Sequence, residues 1–151
     1  MRLKTFVRFT VIAAGSVLVG CSVLPGTTPS ALIRGAVTGT GVSASTKLAV
    51  YFGPASVGTP PDDVVPASAG LYDYSIPSDQ DTVTLVPFND LKNDNLLDTG
   101  DPSSLDPNSC ADCSYVQAAR TGTSWTVSIL GGTAGSQAAT LTTANMSFDP
   151  T

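Results

Sequence analysis

The sequence contains no histidine and no glutamate, and all twelve of its acidic residues are aspartates. Without histidine, the chain cannot form a Ser–His–Asp or Cys–His nucleophile system, or a zinc site with imidazole ligands. General acid–base chemistry would fall to aspartate, lysine or tyrosine. The composition therefore argues against a hydrolase, and we expect a protein that is not an enzyme.

Basic residues are also scarce, with seven in the whole chain, three of them within the first eight positions. Beyond residue 20, four basic residues stand against twelve aspartates, which gives a net charge of −8. Nucleic acids and anionic lipid surfaces are bound by clustered lysine and arginine. The charge balance therefore argues against a nucleic-acid-binding protein.

The first 20 residues have the layout of an export signal. Basic residues precede a short apolar run at 11–19, and small residues then lead into Cys21. A bilayer span takes about 20 apolar residues, so this run is too short to be one. The sequence predicts a signal peptide over 1–20, a Pro- and Gly-containing tether over 21–31, and a single domain over 32–151.

The four residues Leu18-Val19-Gly20-Cys21 resemble the lipobox of bacterial lipoproteins. The resemblance implies that Cys21 becomes the acylated, palmitate-carrying first residue of the mature protein, held outside the cytoplasm in the cell envelope. Ser22 follows the cysteine. In the sorting of lipoproteins in two-membrane bacteria, a residue other than aspartate at this position favours the outer membrane, where the host has one.

The sequence after the tether alternates apolar and polar residues in short runs, with turn residues between them. Alternation indicates half-buried strands. Six or seven such strands predict an all-β, two-sheet sandwich of immunoglobulin-like or transthyretin-like type. The predicted strands include 32–38, 46–52, 71–77, 82–88, 123–130 and 137–148.

Several details of this scheme are specific enough to test. Residues 39–45 are predicted to join the first two strands as a hairpin, and 53–70, with four prolines, to form a long surface loop. The run 82–88 is apolar on both faces, which predicts a central strand. The last strand changes register and needs a bulge near 143–145. Trp125 is predicted to lie in the core.

The other two cysteines, Cys110 and Cys113, are separated by two residues in a polar segment. A redox-active pair would need the first cysteine at a helix N-terminus, and a zinc site would need a second pair of ligands. In an exported protein the two remaining thiols meet an oxidising compartment. We therefore expect a structural disulfide between them.

The segment 90–101 carries four carboxylates in twelve positions. Calcium takes about six to eight oxygen ligands, and short loops supply them from alternating side chains and a carbonyl. The segment is similar to the calcium loops of β-sandwich surface proteins such as the B domains of serine–aspartate repeat adhesins. The resemblance implies that Ca²⁺ is bound by the Leu96 carbonyl and by the carboxylates of Asp90, Asp94, Asp98 and Asp101.

The segment departs from this pattern at two positions. Lys92 stands where the family has an oxygen ligand, and Asp101 replaces the usual glutamate. Asn95 occupies the place of a glycine and tolerates the left-handed conformation. The alternative is an Asx-rich turn in which Lys92 partly neutralises the carboxylates.

These features predict a membrane-anchored, non-catalytic β-sandwich that binds an envelope protein or a glycan, or stabilises the envelope. The alternative is an extracytoplasmic enzyme or accessory subunit that acts on glycans through a pair of aspartates. Such a pair would have to converge at a distance of about 5 Å or somewhat more. We would expect it to come from two distant segments that meet in one pocket.

Overall fold

The computed structural model describes residues 31–67 and 69–150 of the chain. The predicted signal peptide, Cys21 and almost all of the tether lie outside these residues. Within them, the structure has nine strands and no helix long and apolar enough to span a membrane. The strands are β1 (Ala31–Thr38), β2 (Thr46–Tyr51), β3 (Asp63–Pro66), β4 (Leu71–Ile76), β5 (Thr82–Asn89), β6 (Ser114–Thr121), β7 (Ser124–Gly131), β8 (Gln137–Ala139) and β9 (Met146–Ser147).

The strands form two sheets that enclose a shared core, which confirms the predicted all-β, two-sheet fold. The smaller sheet has the order β4-β1-β9, and the larger has the order β3-β2-β5-β6-β7-β8. All pairings are antiparallel except the parallel one between β1 and β9.

The main core lies between the sheets and is built from alternate residues of the strands, as the alternation predicts. Tyr72, Tyr74 and Ile76 of β4 all face inward. Trp125 is partly buried and packs against this core, as predicted. Burial of each large apolar side chain stabilises the fold by about 1.5–3 kcal/mol. The largest fully buried side chains of the main core include Ile33, Leu48, Ile76, Leu85, Met146 and Phe148.

A second apolar cluster lies on the opposite face of the larger sheet, and we call it the outer cluster. Its buried members are Ala49 and Tyr51 of β2 and Val86 and Phe88 of β5. Both strands are therefore buried on two faces, which confirms the prediction of a central strand at 82–88. Loop residues, Leu97 and Leu105 among them, cover this cluster.

The predicted hairpin between the first two strands is wrong. β1 pairs with β4 and β9, whereas β2 pairs with β3 and β5. Residues 39–45 instead cross from the smaller sheet to the larger one. Alternation identified which side chains are buried, but it holds no information on which strand lies alongside.

Two strands lie in segments where none was predicted. β3 is part of the supposed loop 53–70 and pairs along the edge of β2. β6 lies between the cysteines and β7, and it pairs with β7 over its full length. Of the three buried residues of β6, Val116 is a larger apolar residue but Ser114 and Ala118 are small, so the apolar contrast of this strand in the sequence is weak.

The predicted bulged strand at 137–148 is instead two short strands in different sheets. β8 pairs with β7 in the larger sheet, and β9 pairs with β1 in the smaller one. Between them the Leu141 carbonyl accepts a hydrogen bond from the Arg34 amide at 2.8 Å. The Ala144 carbonyl, which accepts from the Tyr72 hydroxyl, fills the space that a side chain at Gly35 would need. The register change is therefore a crossing between sheets.

Candidate functional site

The acidic loop, residues 90–101, begins directly after β5 at one end of the larger sheet. The register pairs Thr46 with Asn89 and Lys47 with Phe88, so the start of β2 lies beside the start of the loop. Lys47 has the same parity as Ala49 and Tyr51, so it projects from the face that carries the outer cluster. The strand pairing therefore brings a lysine to the carboxylates of the loop.

The ammonium group of Lys47 is surrounded by oxygens of the acidic loop. Its Nζ donates to Asp90 Oδ2 at 2.6 Å, to Asn95 Oδ1 at 2.8 Å and to Asn93 Oδ1 at 3.3 Å. Both partners of the ion pair are buried, with 7% of Lys47 and 1% of Asp90 exposed. A buried ion pair is tolerated when further hydrogen bonds satisfy the charged groups, and this geometry supplies them.

The backbone of the loop turns around this ammonium. Asn93 and Asn95 have φ angles of +55° and +64°, in the left-handed region that asparagine tolerates better than most residues. The Asp90 carboxylate also accepts from the amides of Asn95 at 2.8 Å and Asp94 at 3.3 Å. The hydrogen bond from Lys47, followed by these amides, lowers the pKa of Asp90 to about 2 despite its burial.

The other predicted calcium ligands are engaged by the loop itself. Asp98 Oδ2 pairs with Lys92 Nζ at 2.5 Å, and Asp98 raises the pKa of Lys92. Asp101 accepts from the amides of Leu91 at 3.1 Å and Asp98 at 3.0 Å. The Asp94 carboxylate accepts from the Leu96 amide at 3.0 Å. Among residues 31–67 and 69–150, no three cysteine or aspartate side chains are grouped so that they could share a metal ion.

Lys47 is the member of this site that sequence analysis missed. The sequence shows it as one charged residue in an alternating strand, 43 positions before Asp90. Lys92, the lysine that the sequence singled out, forms an exposed pair with Asp98 at the rim of the loop. Only the register between β2 and β5 reveals which lysine reaches Asp90.

A cleft of about 450 Å³ lies beside the acidic loop, and we call it the loop cleft. Residues 56–61, between β2 and β3, form one wall, and residues within 96–106 form the other. The aspartates that line it, Asp98, Asp101 and Asp106, all come from one stretch of chain. The glycan-active alternative expects aspartates from two distant segments to meet in one pocket, and this cleft does not bring such a pair together.

The two cysteines of the described chain lie at disulfide distance. Their Cα atoms are 5.3 Å apart, within the range of about 4.4–6.8 Å that disulfides require. Both side chains are buried, and the Asp149 amide donates to Cys113 Sγ at 3.2 Å. The sulfur of Cys113 thus contacts the segment that follows β9.

Comparisons with known proteins give this chain no relatives. No protein-family model matches it, and neither a curated protein nor a solved structure does. What the chain does is therefore inferred from its own residues.

Proposed function

We propose that this chain is a lipid-anchored, extracytoplasmic β-sandwich that serves the cell envelope without catalysis, as a binding or structural module. The observation that carries the proposal is the lipobox-like Leu18-Val19-Gly20-Cys21, ten residues before β1 begins at Ala31. A diacylglycerol on the cysteine sulfur plus an N-acyl chain exceeds the two signals that stable membrane anchoring takes. The outer membrane is the proposed location where the host has one.

The cysteine pair supports the proposed location outside the cytoplasm. Disulfides form and persist in oxidising compartments outside the cytoplasm. Cys110 and Cys113 are both buried and at disulfide distance, and Cys21 is left as the third cysteine for the lipid. The count of three cysteines thus fits one lipidation site and one disulfide.

Lipid labelling tests the proposal. Expressed in a bacterium with lipoprotein processing, the full chain should incorporate a tagged palmitate and fractionate with membranes. The Cys21→Ala variant should lose the label and accumulate as uncleaved precursor. Cys110→Ser is the matched control and should keep the label. Normal processing of Cys21→Ala would refute the lipoprotein assignment.

Calcium binding by the acidic loop stays a prediction. The four carboxylates and the similarity to adhesin calcium loops favour it. The Lys47 ammonium opposes it, because a divalent cation bound to Asp90 would lie close to a buried positive charge. The loop therefore either binds calcium with Lys47 displaced or uses Lys47 as its own cation.

A further inference from the structure

We propose that the loop cleft docks a basic peptide segment of a partner protein, with an apolar side chain as its anchor. The proposal specifies the binding role proposed above and rests on it, but it does not depend on the lipid. Its basis is a partly apolar cleft whose lining has a net negative charge and whose two walls are each ordered by hydrogen bonds.

The apolar part of the cleft runs from solvent to the interior. Val57 on one wall and Leu96 on the other are 68% and 57% exposed. Leu97 and Leu105 also line the cleft, and they pack against the outer cluster. An apolar side chain entering the cleft would thus extend an existing apolar core, as anchor residues do at protein interfaces.

The charge around the cleft selects for a cationic partner. Three aspartates and one lysine, Lys92, lie at or beside it, so its lining has a net negative charge. Asp98 pairs with Lys92 and Asp101 is buried, which leaves the half-buried Asp106 as the carboxylate nearest to a bound cation. Two other cations are held elsewhere, Lys47 by Asp90 and Arg120 by Asp81. Complementary charge favours encounter with a basic segment and disfavours an acidic one.

Both walls are ordered by hydrogen bonds within the chain. The Tyr51 hydroxyl donates to the Thr59 carbonyl at 3.2 Å, and the Ser56 and Thr59 hydroxyls are 2.7 Å apart. On the other wall, Asp101 accepts from the amides of Leu91 and Asp98. Because the walls are already ordered, binding of a peptide would cost little conformational entropy of the cleft residues.

Peptide binding to the full, lipidated chain in a nonionic detergent tests the proposal. The probe is a fluorescein-labelled heptapeptide of alternating lysine and leucine, titrated by anisotropy with detergent alone as the blank. Two further peptides replace lysine by aspartate or leucine by serine. We expect the lysine–leucine peptide alone to bind, with an affinity that falls as salt is added.

Surface variants locate the binding. Leu96→Ser should weaken it about tenfold or more, as loss of a central anchor does. Leu71→Ser is the matched control, because Leu71 is 65% exposed on β4 and does not line the loop cleft. Both variants should keep the parent's melting temperature.

The proposal would be overturned if Leu96→Ser and Leu71→Ser bound the lysine–leucine peptide with equal affinity. It would also be overturned if the aspartate peptide bound, or if the lysine–leucine peptide did not. Failure of the lipid-anchor proposal is a separate result, which would be seen as normal processing of Cys21→Ala. The results of the two experiments therefore distinguish failure of one proposal from failure of the other.

Discussion

Replacing Lys47 by methionine removes the ammonium from the acidic loop and keeps much of the apolar side chain. The buried Asp90 carboxylate is then left with backbone donors alone. Removing one partner of a buried ion pair destabilises a protein by about 3–5 kcal/mol, and we expect the lower value because those donors remain. In a domain of this size, about 3 kcal/mol lowers the melting temperature by about 10 °C.

Thermal unfolding followed by circular dichroism measures this effect. Lys92→Met is the matched control, because its pair with Asp98 is exposed and screened by solvent, and it should melt close to the parent. The double variant Lys47→Met/Asp90→Asn removes both buried charges and should recover part of the loss. The reasoning is refuted if Lys47→Met melts like Lys92→Met. It is also refuted if the double variant loses as much stability as Lys47→Met and Asp90→Asn lose in sum.

Three further predictions concern pH, the cysteines and calcium. Because the pKa of Asp90 is lowered from 3.8 to about 2, its contribution to stability is present above about pH 4 and lost as the pH falls towards 2. Urea unfolding at falling pH should therefore show a steeper loss for the parent than for Asp90→Asn. Replacing Cys110 and Cys113 by serine should destabilise by about 2 kcal/mol, since a disulfide closes only a short loop here, and urea unfolding with and without reductant measures it. If the loop binds calcium, millimolar Ca²⁺ should give heat in calorimetry and raise the melting temperature more than Mg²⁺, whereas no heat with either the parent or Lys47→Met would rule the site out.

The faces of the strands could be predicted from the sequence, because burial imposes a period of two on the chain. Ile33 and Val37 are buried and Arg34 is exposed, as the alternation indicates. The partners of the strands could not be predicted in this way. Pairing depends on which apolar faces meet in three dimensions, and β1 lies against β4, across a segment that contains two other strands.

The candidate site shows the same division. The left-handed conformation of Asn95 depends on local chemistry, and the sequence already showed there a residue that tolerates it. The position of Lys47 follows from the β2–β5 register, which fixes contacts between residues 43 positions apart. A motif taken from one segment describes the oxygens of a loop, but the cation at their centre comes from another strand.

The internal cation also bears on how the loop cleft is built. Lys47 holds Asn95, and the next residue, Leu96, is exposed on the wall of the cleft. The residue before Leu96 is thus held by a hydrogen bond from a lysine of the larger sheet. Bound calcium would instead make the shape of the wall depend on the calcium concentration around the protein. With Lys47 in place, the wall is linked to the folded core, because β2 carries this lysine together with Ala49 and Tyr51 of the outer cluster.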